Sequence, residues 1–259
     1  MNKIDKKFQN LNGEKALITF ITGGHFGYNT TEKLVLTMEK AGADIIEIGV
    51  PFSDPIAEGP VIQRSSMEAI SQGATLAGIF DTVKKLREKT DIPILLMLYI
   101  NSVFGYGKEK FFEKCNEAQI DGVIVPDLPF EEYDEIADTA DKHGVYSVRL
   151  VTPTSKERIK KIASGAKGFL YCVSSVGVTG MRNSFNTDFE KFFTEIKKHS
   201  TAPNCIGFGI SNPEQAKKMS GYADGVIVGS AIVKLVSEFG ENSIDRVYEF
   251  TRAIKDAIK

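Results

Sequence analysis

The chain has 259 residues, a length that one large domain or two small ones could fill, and α/β barrels routinely reach this size as one domain. Hydrophobic residues make up 42% and charged residues 25% of the chain, so there is enough apolar material for a buried core and disorder is excluded. The formal net charge of −2 leaves no broad cationic surface, which argues against nucleic acid and anionic membranes as partners. Any anion must therefore be bound locally.

The cysteines and the first residues indicate where the protein works. Three cysteines lie far apart and form no CxxC pair, so they predict neither a zinc site nor a redox pair, and they fit a reducing compartment. The opening stretch MNKIDKKFQNLNGEKA lacks an apolar segment, and no apolar run approaches the roughly 18 residues that cross a bilayer. We therefore expect a cytoplasmic protein, neither exported nor inserted into a membrane.

Short apolar, β-branched runs alternate with amphipathic stretches along the chain, which is typical of repeated β/α units. Eight runs predict strands at residues 16–22, 44–50, 92–99, 122–127, 146–151, 168–174, 204–210 and 225–229. Helices are predicted at residues 4–10, 30–40, 76–89, 108–117, 133–142, 156–163, 188–197, 213–219 and 243–258.

Eight strands are the number that closes a parallel barrel. We therefore predict a single (β/α)8 TIM-barrel domain over residues 1–259, with additional helices at both termini. An open doubly wound sheet is the alternative, but no G-x-G-x-x-G follows the first strand.

Two predicted connections, residues 51–73 after the second strand and 175–187 after the sixth, are longer than barrel packing requires. Long βα loops usually carry function, and both leave the carboxyl end of a strand, where barrels build their active sites. The site is therefore expected at that end of the barrel.

An acidic side chain lies within the second strand. Alternation puts Ile46 and Ile48 on one face and Glu47 and Gly49 on the other. The branched face should meet the helices, so Glu47 points into the barrel, and Gly49 should leave room for a ligand. Apolar surroundings disfavour the ionised carboxylate, which suits a proton donor near neutral pH. The alternatives are a glutamate paired with a lysine, or an inverted assignment of the two faces.

The loop after this strand, residues 51–60, holds two further acids, Asp54 and Glu58. Its three prolines restrict the backbone, so Glu58 could be held rigidly as a second carboxylate. Spacing alone, however, favours solvated loop charges for both residues.

Glycines end the seventh and eighth predicted strands, at Gly207 and Gly209 and at Gly229 before Ser230. Glycine lets backbone N–H groups approach a ligand, and the amino terminus of a following helix favours an anion. Each glycine alone is best explained by a tight turn, but together they predict a phosphate site. The Gly-Val-Thr-Gly of residues 177–180 could add a third wall, in a loop that closes over substrate.

Other polar candidates are weaker. The histidines lie in different segments and only His25 is near the carboxyl end of a strand, so no metal site is predicted. Cys172 and Cys205 are interpreted as packed residues. Tyr171 shares the lumen face of its strand, where a core role is more common than a catalytic one.

Four motifs in order resemble the tryptophan synthase α-chain family: EIGVPFSDP at residues 47–55, GVTG at 177–180, GFGIS at 207–211 and GVIVGS at 225–230. The resemblance covers nearly the whole chain. Members of that family split indole-3-glycerol phosphate into indole and glyceraldehyde 3-phosphate.

The resemblance implies specific roles. Glu47 corresponds to the general acid/base, Glu58 to the second catalytic carboxylate, and Tyr171 to a tyrosine near the glycerol chain. The implied phosphate site consists of Gly180, Gly209, Gly229 and Ser230. The residues implied around the indole or along its exit are Phe20, Ile62, Tyr99, Phe208 and Ile227. Thr179 is a further implied substrate-binding residue.

The chain departs from the family pattern in two places. The family most often has aspartate at the position of Glu58, and one extra methylene could misplace the carboxylate. After the first strand, Gly24-His25-Phe26 replaces the usual Gly-Asp-Pro and could alter the wall near the substrate.

The resemblance also implies a partner, a β chain that carries pyridoxal phosphate and receives indole in an α2β2 assembly. Residues 51–60 and 101–106 would form much of the contact. No cofactor or metal is implied in this chain. The alternatives are another phosphate-binding barrel, such as a sugar-phosphate isomerase, and a non-catalytic subunit that only activates its partner.

Overall fold

Parallel strands close into a cylinder. The computed structural model describes residues 1–173, 188–207 and 209–259. In these residues eight strands pair in chain order, and the last pairs with the first. The strands are β1 Ala16–Thr22, β2 Ile45–Gly49, β3 Ile94–Met97, β4 Gly122–Ile124, β5 Tyr146–Val151, β6 Leu170–Val173, β7 Asn204–Gly207 and β8 Gly225–Val228. The predicted TIM barrel is confirmed, with some strands up to three residues shorter at an end than predicted.

Helices surround the barrel. They are α1 Lys3–Asn10, α2 Tyr28–Ala41, α3 Pro60–Ser71, α4 Leu76–Leu86, α5 Ile100–Tyr106, α6 Lys108–Glu117, α7 Asp134–Lys142, α8 Ile159–Ala163, α9 Phe189–Lys197, α10 Pro213–Ser220, α11 Ser230–Phe239 and α12 Ile244–Ala257. Short 3-10 segments occupy Phe130–Glu132, Pro153–Arg158 and Gly240–Ser243. All nine predicted helices are present, with ends shifted by up to three residues. In the part of the chain that the structure describes, no helix has the length and apolar character needed to span a bilayer.

Three helices were not predicted: α3, α5 and α11. Residues 51–73 are therefore only partly a loop, because α3 begins at Pro60, whose fixed φ suits the first turn of a helix. The α5 helix is a single short segment of 7 residues, too short for a clear period. The α11 helix is rich in β-branched residues and follows Gly229 directly, so no polar loop separates it from β8.

The two faces of the strands belong to different apolar clusters. Ile46, Ile48 and Val50 pack in the outer cluster between sheet and helices, as the alternation in β2 predicts. Ile45 packs in the lumen cluster, which Ile4 of α1 also joins. The α1 helix therefore closes the amino-terminal end of the barrel, and the opposite end remains for the site.

Buried ion pairs strengthen the amino-terminal end. Asp44, just before β2, accepts hydrogen bonds from Lys255 Nζ at 2.7 Å and from Leu17 N at 2.8 Å. Asp121, just before β4, pairs with Arg87 at 2.7 Å. Removing one partner of either pair would leave the charge of the other partner buried and unpaired, which is strongly destabilising. The acids of these two pairs precede their strands, whereas Glu47 lies within β2 and Glu58 follows it.

Candidate active site

One pocket at the carboxyl end of the barrel collects nine of the residues singled out from the sequence. They come from separate strands and from the segments that follow them: Phe20, Glu47, Glu58, Ile62, Tyr171, Gly209, Ile227, Gly229 and Ser230. Met97 and Ile210 complete the described lining. An adjoining pocket shares Phe20, Glu58 and Ile62 and adds Tyr99. The fold therefore brings the candidate acids, the apolar wall and the glycine ends together.

Glu47 is fully buried on the lumen side of β2, level with Phe20 of β1 and Leu95 of β3. Neither carboxyl oxygen has a hydrogen-bond partner among the described residues. Burial without a compensating partner raises the pKa of Glu47 to about 8. The side chain is therefore largely protonated at neutral pH, and the alternative of a lysine-paired glutamate does not apply within the described chain.

Gly49 serves a different purpose from the one predicted. A Cβ at this position would lie 2.5 Å from Cζ of Phe20, so the phenyl ring occupies the space that a side chain would need. The prediction that this space is open for a ligand is wrong. At Gly229 a Cβ would lie 3.2 Å from the Cβ of Phe20, so that glycine also accommodates this residue. The two glycines let Phe20 form a wall of the pocket beside Glu47.

Glu58 is buried, with 7% of its surface exposed, so the interpretation as a solvated loop charge is wrong for it. The hydroxyl of Tyr99 donates a hydrogen bond to Glu58 Oε2. The same hydroxyl accepts hydrogen bonds from the N–H groups of Ile56 at 2.9 Å and Ala57 at 2.7 Å. Gln63 Nε2 donates to the Glu58 carbonyl at 2.8 Å. Tyr99 and Gln63 thus hold the second carboxylate and its loop in one conformation.

The electrostatics of this pair follow from burial. Desolvation raises the pKa of Glu58, and the hydrogen bond from Tyr99 opposes that rise. Burial and the neighbouring carboxylate raise the pKa of Tyr99, so its hydroxyl stays protonated and remains a donor. Asp54, by contrast, is exposed, as predicted.

Tyr171 lies buried on the lumen face of β6, in the cluster that also holds Phe169 and Val173, as alternation predicts. A Cβ at Gly207 would lie 2.7 Å from the Tyr171 hydroxyl, so glycine at the end of β7 makes room for the phenol. Burial, with the charge of Glu47 as a second cause, raises the pKa of Tyr171. Tyr171 therefore remains a neutral hydroxyl.

The glycine ends of β7 and β8 provide backbone donors. Gly209 has φ +89°, a left-handed conformation that favours glycine. Gly229 precedes α11, whose first turn has no side-chain cap and no acidic residue in the described structure. The N–H groups of that turn and the helix dipole therefore suit an anion next to Ser230.

Sequence reasoning missed Met97 and Ile210. Met97 follows Leu95 by two positions in β3, and Leu95 belongs to the lumen cluster, so alternation could have identified it. Ile210 directly follows Gly209, and no periodic signal marks it. In the described ranges no group of three or more potential metal ligands occurs.

Comparison with known proteins decides the family. The model of the family described as "Tryptophan synthase alpha chain" matches residues 7–259. The chain belongs to the tryptophan synthase alpha chain family. Relatives of that name from Thermoanaerobacter sp. (strain X514) and Clostridium kluyveri (strain ATCC 8527) are 48% and 45% identical to it, and each alignment covers 100% of both chains.

Solved structures agree with the family assignment. The tryptophan synthase alpha chain from Legionella pneumophila subsp. pneumophila superimposes with a TM-score of 0.91 at 35% identity, covering 100% of this chain and 97% of that one. A structure from Pyrococcus furiosus, described as the tryptophan synthase a2b2 complex, has a TM-score of 0.86 at 31% identity, covering 93% of this chain and 98% of that one.

The segment Gly24-His25-Phe26, which differs from the usual family pattern, contacts α3. His25 is buried, and its Nε2 lies 2.9 Å from Glu68 Oε2. Just before it, the hydroxyls of Thr22 and Ser65 are 2.6 Å apart. Burial lowers the pKa of His25. This segment therefore anchors α3, the helix that begins just after Glu58. The α3 helix carries the pocket residue Ile62.

Three predicted site residues, Thr179, Gly180 and Phe208, lie outside the described residues. So does the whole of the predicted lid, residues 175–187.

Proposed function

We infer that this chain cleaves indole-3-glycerol phosphate to indole and glyceraldehyde 3-phosphate in tryptophan biosynthesis. Family membership supports this activity. The observation that carries the chemistry is a fully buried carboxyl group, Glu47, beside a second, tyrosine-held carboxylate, Glu58, in the same pocket.

The substrate has a phosphate at one end and an indole at the other, and the pocket offers a matching pair of environments. We assign the phosphate to the backbone N–H groups around Gly209, Gly229 and Ser230, with Gly180 as a further donor. We assign the indole ring to the apolar side chains of Phe20, Ile62, Tyr99 and Ile227. Phe208, outside the described residues, stays a predicted indole-binding residue. We assign Tyr171 to the glycerol chain between the two ends, and Thr179, outside the described residues, stays a predicted substrate-binding residue.

Breaking the bond between indole C3 and the glycerol chain requires an electron sink. Protonated Glu47 donates its proton to C3 and so creates an indolenine cation. The ionised carboxylate of Glu58 faces the ring N–H and stabilises the developing positive charge. A pKa near 8 suits a group that must hold a proton at neutral pH and release it during the reaction.

Glu47 also completes the reaction. After its transfer to C3, Glu47 is ionised and accepts the proton of the substrate hydroxyl next to the scissile bond. That oxygen forms the aldehyde carbonyl as the carbon–carbon bond breaks, and the bond electrons restore the aromatic indole. The proton count on Glu47 is the same at the start and at the end, so one residue serves as acid and then as base.

Replacement of Glu47 tests this role. Glu47→Gln should abolish indole release from indole-3-glycerol phosphate, because the amide cannot transfer the proton, while fold and partner binding persist. The exposed Glu88 provides a matched control, since Glu88→Gln makes the same chemical change far from the pocket. Persistent lyase activity in the Glu47 variant would overturn the assignment.

The phosphate site needs a separate test. Gly229→Asp should weaken substrate binding through steric intrusion against Phe20 and through repulsion between two anions. Calorimetry with a substrate analogue measures the affinity. An unchanged affinity would refute the phosphate assignment while leaving the role of Glu47 open to its own test.

We propose further that the chain assembles with a β chain into an α2β2 complex. Ile56 is 72% and Phe104 is 48% exposed, and both lie in the predicted contact segments, residues 51–60 and 101–106. Large exposed apolar residues of this kind are typical of protein interfaces. Pyridoxal phosphate belongs to the β chain in this proposal, and this chain holds no cofactor.

Comparing indole release with and without the β chain distinguishes a catalytic subunit from one that only activates its partner. Release by the isolated chain, even if slow, supports catalysis by this chain.

We place the reaction in the cytoplasm and propose that residues 1–259 carry it out as one domain. The free, buried thiols of Cys115, Cys172 and Cys205 are consistent with a reducing compartment.

A further inference from the structure

A second cavity lies between β5, the 3-10 segments Phe130–Glu132 and Pro153–Arg158, and α8. Its volume is about 280 Å³, near the lower end of the range for small-molecule pockets. It shares no lining residue with the Glu47 pocket. The cavity is therefore separate from the site described above.

Arg149 is the distinctive residue of this cavity. It lies on the outer face of β5, two positions before Val151 of the outer apolar cluster. Its guanidinium carbon lies 4.5 Å from the ring centroid of Tyr133 and 5.2 Å from that of Phe130, so the cation stacks on two aromatic walls. Its Nη1 donates hydrogen bonds to the carbonyls of Ile162 at 3.2 Å and Ser164 at 2.6 Å.

The other edge of this guanidinium carries donors without acceptors. Nε is buried and has no hydrogen-bond partner, and Nη2 has no acceptor among the described residues. No carboxylate of the described chain forms an ion pair with Arg149, whereas Arg158, which also lines the cavity, pairs with Glu131 at 2.6 Å. The cavity thus has one cation in excess.

The chemistry of that edge defines its ligand. Nε and Nη2 together form the fork that binds the two oxygens of a carboxylate in parallel. The hydroxyl-bearing Thr152 and Ser155 and the apolar Leu128 and Ile162 line the same cavity. An acid with a short apolar or aromatic body would match both the fork and these walls.

We propose that this cavity binds a small organic carboxylate, held by the Nε/Nη2 edge of Arg149. The ligand's carboxylate satisfies a buried donor that the chain itself leaves unpaired, and its apolar body packs beside Phe130 and Ile162. This inference does not depend on the lyase activity.

Benzoate is a suitable probe, and benzamide has nearly the same shape without the charge. Isothermal titration calorimetry should show saturable benzoate binding and at least tenfold weaker binding of benzamide. Arg149→Met, which keeps the length of the side chain and removes the fork, should weaken benzoate at least tenfold. Arg252→Met is the matched control, because Arg252 lies on α12 and pairs with Asp256 of the same helix. The Arg252→Met variant should bind benzoate with the same affinity as the unaltered chain.

Amide NMR shifts of the unaltered chain locate the probe even if Arg149→Met fails to fold. Benzoate should shift the signals of Ser147, Thr152 and Ser155 and leave that of Gly229 in place. Equal binding of benzoate and benzamide, equal binding to Arg149→Met, the absence of saturable binding, or shifts confined to the Glu47 pocket would each overturn the proposal. Inorganic phosphate that competes with benzoate at the same signals would overturn the carboxylate assignment in favour of a general anion site.

Discussion

Replacing Glu47 by glutamine should stabilise the protein while removing its activity. Burial raises the pKa of Glu47 from 4.5 to about 8. At pH 7 the unfolded chain therefore ionises this group whereas the folded chain keeps it protonated. One pKa unit corresponds to about 1.36 kcal/mol, so the 2.5 units between 4.5 and pH 7 cost the native state about 3 kcal/mol. Glutamine has a similar shape and does not ionise in either state, so the variant avoids this cost.

The pH dependence has a defined sign. The folded state binds the extra proton between pH 4.5 and pH 8, so the free energy of unfolding of the unaltered chain falls as pH rises through that interval. The advantage of Glu47→Gln should be near zero at pH 4.5, about 3 kcal/mol at pH 7 and about 4 kcal/mol at pH 8.

Urea unfolding followed by circular dichroism at pH 5, 7 and 8 measures these free energies. Glu88→Gln, at an exposed position, controls for the loss of one carboxylate and should not reproduce the pH-dependent gain. A difference between Glu47→Gln and the unaltered chain that is independent of pH, or a variant less stable at pH 8, would refute the reasoning that burial alone sets this pKa.

Three further changes test how the pocket is held. Tyr99→Phe removes the hydroxyl that donates to Glu58 and accepts two backbone N–H groups, so unfolding free energy should fall by about 2 kcal/mol, with kcat/KM for indole release falling roughly tenfold or more. His25→Asn removes the hydrogen bond between the buried imidazole and Glu68 of α3, so the unfolding free energy should fall by about 1–2 kcal/mol in urea titrations. Gly49→Ala places a methyl group against the Phe20 ring, so the unfolding free energy from thermal denaturation should fall by about 1–3 kcal/mol. The KM for indole-3-glycerol phosphate should rise.

Matched variants exist for each change. Tyr248→Phe and His143→Asn alter the same residue types on α12 and just after α7, away from the pocket. In the chain assayed without a β chain, Gly105→Ala introduces a methyl group where nothing lies within 4 Å of the new atom. Tyr99→Phe with unaltered kinetics would contradict its role in holding the loop. If His25→Asn is as stable as His143→Asn, the contact between His25 and Glu68 does not stabilise the fold. If Gly49→Ala is as active as Gly105→Ala, the contact between Gly49 and Phe20 does not shape the pocket.

Local periodicity was sufficient to predict the barrel and the position of Glu47. Each strand of a parallel barrel is buried on both faces and each helix on one, so runs of β-branched residues and amphipathic stretches alternate along the chain. In β2 the period of two placed an acid on the lumen face, level with Phe20 of β1 and with Leu95 of the lumen cluster. The local sequence also predicted the backbone donors at the ends of β7 and β8, because glycine adopts backbone conformations that other residues avoid.

The second carboxylate and the walls of the pocket depended on tertiary structure. Glu58 lies in a polar loop whose sequence predicts a solvated charge, yet it is buried, and Tyr99, 41 positions away, donates a hydrogen bond to its carboxyl group. Gly49 faces a space that Phe20 of the neighbouring strand fills, and the excess cation of Arg149 is visible only once β5 and α8 are packed. Burial and hydrogen bonding between distant segments carry no periodic signature, since they depend on which side chains the closed barrel brings together. The sequence therefore determined that an acid stands in the lumen, and the fold decided what surrounds it.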